Sequence, residues 1–285
     1  MPYSTGLFVG LTTLDFIYLS DRLLEVEQKL VAQDYLTVAG GPATNAAVAF
    51  SYFDNYPKLM TVLGEHPLTE LIADDLNEYS VEIVDLIPEK TDTPPISSII
   101  VMADTGQRAV ISINAVKSQA QRSISEEILN DVDIVLIDGH QIAVSLAIAK
   151  LAQNRQIPVV IDGGSWKPGL EKILPFADYV ICSANFYPPQ CHNVPEVFSF
   201  LRGLGVSYIA ITNGEQPIQC QEQGDNYSIA VPAIKAVDTL GAGDIFHGAF
   251  CNYILEESFA NALSLSAEIA SKSCEYFGTR NWLNH

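Results

Sequence analysis

Asp238-Thr239-Leu240-Gly241-Ala242-Gly243-Asp244 is the stretch of this 285-residue chain best equipped for chemistry. Small residues at 241–243 let the backbone approach a ligand closely. Ile245-Phe246-His247-Gly248-Ala249-Phe250 follows and reads as a helix. The turn therefore lies at a helix N-terminus, where unpaired N–H groups and the helix dipole favour an anion. Asp244 falls in the first turn. A resident anion gains nothing from a neighbouring carboxylate. A phosphoryl acceptor does, because its hydroxyl must lose a proton as it attacks. A capped helix start with ordinary turn glycines would explain a bare Gly-x-Gly. The seven-residue string is more specific than that.

A second glycine turn, Gly40-Gly41-Pro42-Ala43-Thr44-Asn45-Ala46-Ala47, also opens a helix. Pro42 suits an early helical position. Asn45, one turn in, offers hydroxyl groups both a donor and an acceptor. Taken alone, this too is compatible with a capped helix. Asp15 interrupts an apolar run after Gly10-Leu11-Thr12-Thr13-Leu14. A lone acid there is expected to be paired or functional, the alternative being an edge-strand carboxylate in water.

The elements that must carry these residues alternate. Gly6–Leu11, Lys58–Leu63, Val132–Asp138, Ile157–Asp162, Tyr179–Cys182 and Ser207–Thr212 read as strands. Several are almost continuously apolar, as buried parallel strands are. Leu68, Leu71, Ile72 and Leu76 after Pro67, and Ile142, Leu146 and Ala149, fall at helical spacing. This alternation predicts an α/β fold with a mainly parallel sheet, whose ligands bind beyond the carboxyl ends of the strands. Two regions break the rhythm, Leu14–Val38 and Ile96–Ile113. Both read as extended, the second with a hairpin turn at Asp104-Thr105-Gly106-Gln107. They are expected to pair into a small second sheet within one domain spanning 1–285. The acidic residues around 74–85 read as a solvated helix face and turn.

Composition excludes several classes. Acidic residues number 34 and basic ones 15, giving a net charge of −19. The scattered Lys and Arg do not suit nucleic acid or an anionic membrane surface. No apolar run approaches the roughly 20 residues of a spanning helix, and no signal peptide is expected. Five cysteines at 182, 191, 220, 251 and 274 lack Cys-x-x-Cys spacing. They read as reduced thiols of a cytoplasmic protein. His66, His192 and His285 lack metal-ligand spacing. There is no P-loop, Gly-x-Ser-x-Gly elbow or Gly-x-Gly-x-x-Gly after the first strand. His247 is expected to pack or cap along its helix.

From Gly10 to about Gly278 the chain resembles the PfkB/ribokinase family of carbohydrate kinases, whose C-terminal signature is Asp-Thr-x-Gly-Ala-Gly-Asp. The resemblance implies a ribokinase-like three-layer α/β/α sandwich, with a β lid from parts of 12–38 and 94–113. It implies transfer of the γ-phosphoryl of ATP to a hydroxyl of a small sugar, with Mg²⁺, and leaves a requirement for K⁺ open. Asp244 would be the base, and Gly241, Ala242 and Gly243 the anion hole. Asp15, Gly40, Gly41 and Asn45 would hold the sugar. Thr212, Gly214, Thr239, Gly241, Gly243 and Cys274 would lie at the nucleotide.

Within the family, the Asp15 segment, Gly106-Gln107-Arg108, Asp138-Gly139 and Ala270-Ser271-Lys272-Ser273-Cys274 are most similar to the ketohexokinase and sulfofructose kinase branch. That implies a ketose such as fructose, with Arg108 and Asp138 bordering the sugar; a surface lid residue and a strand-end cap are the other readings of these two. Three departures stand out. Asn185-Phe186-Tyr187-Pro188 has proline where many members carry a metal-organising glutamate, which leaves the metal ligands unassigned. Thr212-Asn213-Gly214-Glu215-Gln216-Pro217 keeps only the first half of the family's nucleotide turn. Pro42 stands where many sugar-binding members have Asn. A nucleoside or sugar-phosphate kinase, or an inactive sugar- or nucleotide-binding regulator, are the alternatives. A homodimer through the lid is implied by resemblance alone.

Overall fold

The structure is a computed structural model that describes residues 3–24, 26–113 and 119–285. In chain order the strands are β1 (Thr5–Val9), β2 (Thr13–Ser20), β3 (Asp34–Gly40), β4 (Tyr56–Thr61), β5 (Glu82–Asp85), β6 (Ile96–Met102), β7 (Arg108–Ser112), β8 (Ile134–Ile137), β9 (Val159–Gly163), β10 (Tyr179–Ser183), β11 (Tyr208–Asn213), β12 (Gln216–Glu222) and β13 (Asp225–Ile229). The α-helices are α1 (Pro42–Ser51), α2 (Pro67–Glu78), α3 (Ile142–Asn154), α4 (Val194–Gly203), α5 (Ala242–Tyr253) and α6 (Phe259–Ser273).

A nine-stranded sheet runs β13-β12-β11-β10-β9-β8-β1-β4-β5. Strands β5 through β11 in that order pair in parallel, and only the β12–β13 edge is antiparallel. Alternate residues of the central strands serve opposite faces, as period-two side chains must. Leu7, Val9, Val135 and Ile137 pack with α3 and α4, while Phe8, Ile134 and Leu136 pack with α1, α2, α5 and α6. Both faces are covered, which is why the strands read as unbroken apolar runs.

The two irregular regions form the expected second sheet, ordered β3-β2-β6-β7. Strand β2 pairs antiparallel with β3 and parallel with β6. One face packs through Ile17, Val38, Ile99 and Val101 onto Phe277, with Val237 and Leu240 alongside. This sheet therefore covers the C-terminal tail and the residues just before α5. The β12–β13 hairpin carries no helix periodicity, and its half-exposed strands alternate too weakly to stand out in the sequence.

Candidate active site

Helices α1 and α5 meet where the central sheet ends. Gly248 makes that possible: a Cβ built there would lie 2.2 Å from the Ala46 carbonyl oxygen. The close approach brings two side chains 199 residues apart into contact, Asn45 Nδ2 donating to Asp244 Oδ2 at 2.8 Å. Both expected motifs thus converge on one point.

The α5 terminus has the geometry expected of an anion turn. Gly241 caps the helix in the left-handed region, φ 71°, and no side chain caps the first turn. Asp238 braces the turn from behind, accepting from Leu240 N and Gly278 N, each at 2.9 Å. Arg108, at the start of β7, donates to Thr239 Oγ1 at 2.8 Å, so the lid touches this turn. Asp244 itself is half-buried. Burial first and the Asp162 carboxylate second push its carboxyl up to about 7, against the Asn45 hydrogen bond and His247. A carboxyl poised near neutrality is matched to general-base work.

The residues expected at the sugar lie on the other flank. Asp15, on β2, is buried and accepts from Thr13 Oγ1 at 2.6 Å. Burial raises its pKa, while Thr13, Ser97 and Arg280 oppose the rise. Gly40 is adjacent: a Cβ there would lie 1.9 Å from Asp15 Oδ2. Gly41 caps α1. Asp138 is buried beneath this loop and accepts from Leu11 N (2.8 Å), Ala43 N (3.3 Å) and His140 N (2.8 Å). Burial would raise its pKa, but the His140 ring 3.1 Å away, with help from Lys167 and the Leu11 amide, brings it down to about 2. With these partners Asp138 is the anion at the α1 N-terminus, tying β1, α1 and the segment after β8 together. These amide contacts are those of a strand-end cap, one of the two readings of Asp138.

Thr212, Gly214, Thr239, Gly243 and Cys274 all line one cavity of about 540 Å³, with Ala242 and a mostly apolar wall from Val231 to Ala236. Burial pushes the Cys274 thiol up to about 11, so it is a neutral wall residue. Pro217 occupies the place of the family's second glycine. It sits at the β-bulge between β11 and β12, where a missing N–H costs no ladder bond. His247 packs as expected, its ring nitrogens facing the Gly243 and Ile181 carbonyls at 2.6 and 3.2 Å. Among the described residues no group of three His, Cys, Asp or Glu side chains is arranged to hold a metal ion.

In the acidic stretch 74–85, Asp74, Glu78 and Glu82 are exposed as expected, while Asp75 and Asp85 depart from that reading. Asp75 pairs with Arg280 at 3.1 Å, and Asp85 accepts from Leu63, Gly64 and Ile87 amides. Arg280 and Asp162 are the residues that sequence reasoning missed. Asp162 ends an apolar strand, a position that could have flagged it. Arg280 has no local signal, because its partner Asn45 lies 235 positions away.

A parallel sheet covered on both faces, a β lid, and a carboxylate at an open helix terminus define a ribokinase-like kinase fold. The chain belongs to the pfkB family of carbohydrate kinases, whose match spans residues 6–285. It is similar to the ribokinase of Lactococcus lactis, at 25% identity over 95% of this chain and 91% of that protein. It is also similar to the fructosamine kinase FrlD of Bacillus subtilis, at 23% identity over 84% of each. Among solved structures, a ribokinase-like protein from Agrobacterium tumefaciens superposes with a TM-score of 0.85 at 24% identity, covering 99% of both chains. Arabidopsis thaliana ribokinase complexed with ribose and ATP gives 0.78 at 21% identity over the full length of both.

Proposed function

We propose that this sugar kinase, acting as one unit over residues 1–285, transfers the γ-phosphoryl of ATP to a hydroxyl of a small ketose such as fructose. The supporting observation is the Asp244 carboxyl, held near neutral pKa at an uncapped helix terminus between the Asn45 loop and the large cavity. The cavity takes the adenine nucleotide. Gly241, Ala242 and Gly243 N–H groups face the phosphoryl. Asp15, Gly40, Gly41 and Asn45 grip the sugar, and Asp138 fixes the loop that carries them. Arg108 reaches over the turn from the lid.

As the sugar oxygen attacks phosphorus, its proton passes to Asp244. The bond from phosphorus to the bridging oxygen breaks, and ADP leaves with that electron pair. Mg²⁺ arrives as part of the MgATP substrate. The described side chains offer it no cluster of three ligands, so no resident metal site is assigned. The test is ADP release from MgATP across ketoses, aldoses, nucleosides and sugar phosphates, with and without K⁺. Ketose-dependent turnover supports the proposal. Turnover with ribose alone would favour the second reading, which rests on the names of the ribokinase relatives.

Two further parts belong to this proposal. The outer lid face exposes Tyr35 (67%), Ile111 (79%) and Ile113 (66%), a surface suited to a second copy of the chain. Sedimentation velocity, comparing wild type with Ile111→Lys, tests that dimer. Five free cysteines suit a cytoplasmic location. Among the described residues no helix is long and apolar enough to cross a membrane.

A further inference from the structure

Arg280 lies in the C-terminal tail and is 4% exposed. Its guanidinium donates to Asn45 Oδ1 at 3.0 Å, to Thr279 Oγ1 at 3.0 Å and to the Ala39 carbonyl, and pairs with Asp75 at 3.1 Å. The Tyr79 ring lies against it, 5.6 Å from centroid to Cζ. Asp75 Oδ2 also accepts from Ala39 N at 3.0 Å. The residue before Gly40-Gly41 is thus clamped at both its N–H and its carbonyl.

A guanidinium only donates. The Asn45 atom that faces it must be the oxygen, and the NH₂ is then left facing Asp244. The reverse orientation would set NH₂ against a cation and oxygen against a carboxylate, two repulsive contacts. We propose that Arg280 is a positioning residue of the phosphoryl transfer: by holding Asn45 Oδ1 it forces the Asn45 NH₂ onto Asp244, fixing one carboxylate oxygen and leaving the other for the sugar hydroxyl.

The proposal rests on the reading of Asp244 as the base. The groups that face Asp244 are Asp162 from β9, Asp138 after β8, His247 from α5 and Asn45 from α1. Two of these carboxylates and burial favour its neutral form. The Asn45 hydrogen bond is the contact by which Arg280 helps keep it ionised. Without that bond, Asp244 would titrate higher and be protonated at neutral pH.

The test compares Arg280→Lys with wild type. A lysine keeps a charge for Asp75 but cannot present a planar fork to several acceptors at once. The readouts are the acid limb of kcat/KM and the ¹³C titration of the Asp244 carboxyl, identified as the aspartate signal absent from Asp244→Asn. Both are expected to move up by about one pH unit, with kcat recovering at high pH. If Arg280→Lys fails to fold, Asp75→Asn loosens the same guanidinium, and about half that shift in the same direction is expected.

A purely structural role would lower Tm and leave the titration where it is. An unmoved titration in the folded variant overturns the proposal. An Asp244→Asn enzyme with normal turnover would instead fail the base assignment, and the ¹³C titration would still decide the role of Arg280.

Discussion

Two glycine-led helix termini face this site, and they are finished differently. At α1, behind Gly41, the Asp138 carboxylate accepts from the Ala43 amide and occupies the terminus. At α5, behind Gly241, no side chain caps the first turn, and the end opens on the large cavity. The same backbone dipole therefore serves two purposes. With its positive end neutralised from within, α1 would suit an uncharged polyol at Asn45 and the glycine backbone, as proposed above. With no side chain capping its end, α5 would suit the negatively charged phosphoryl group of the same proposal. Among the other helices, His66, Asn193 and Ser258 cap α2, α4 and α6, while the N-cap residue of α3, like that of α5, makes no side-chain capping bond. Leaving α5 uncapped forgoes stabilisation of roughly 1 kcal/mol, a sacrifice that fits a functional end.

The sharpest way to break this contrast is at Asp244. Asp244→Asn is expected to lose at least about 10²–10⁴-fold in kcat, read by steady-state ADP release. The same variant should be more thermostable. The folded carboxyl titrates near 7, against 3.8 for the unfolded group. Its ionisation therefore opposes folding, increasingly as pH rises from about 4 to 7. The gain in Tm should be largest above pH 7 and vanish toward pH 4.

At α1 the sign reverses. Asp138 titrates near 2 when folded, so its charge stabilises the fold above pH 3.8, and that stability is lost as pH falls toward 2. Asp138→Asn is expected to cost about 2 kcal/mol at pH 7, measured by denaturant unfolding. An Asp138→Asn protein of wild-type stability would contradict its place as the internal anion.

A milder probe of the open end is Gly243→Ala. A Cβ there meets nothing within 4 Å, so the helix should tolerate it or gain a few tenths of a kcal/mol. The KM for ATP should still rise roughly three- to tenfold, because the methyl group enters the space of the phosphates. The smallest effect is expected from Arg108→Ala. It removes one exposed hydrogen bond to Thr239, and should raise KM about two- to fivefold with Tm unchanged.

The fold was legible because buried parallel strands leave an unambiguous signal. All six strands read from sequence begin within two residues of their observed starts. The lid was legible as an absence of helix rhythm, although its parallel β2–β6 pairing has no local cue. The Asp244 turn and the Asn45 helix were legible because each motif is a continuous string. Arg280, Asp75 and Asp162 were not. Their partners are distant in the chain, and a buried ion pair on α2 has the same sequence pattern as a solvated helix face. Asp138 was legible as a strand-end cap or a sugar neighbour, but its hydrogen bonds to the Leu11 and Ala43 amides, 127 and 95 positions away, had no local cue.

In the proposed reaction Asp244, at the open end of α5, takes the proton of a sugar hydroxyl as ATP gives up its phosphoryl group. The direct measurement is ketose-dependent ADP release by the wild-type protein as a function of pH, beside Asp244→Asn. Turnover is expected to fall as pH drops through about 7 and to be lost in the variant. Equal turnover by both proteins, or a profile flat from pH 5 to 9, would contradict this role of Asp244.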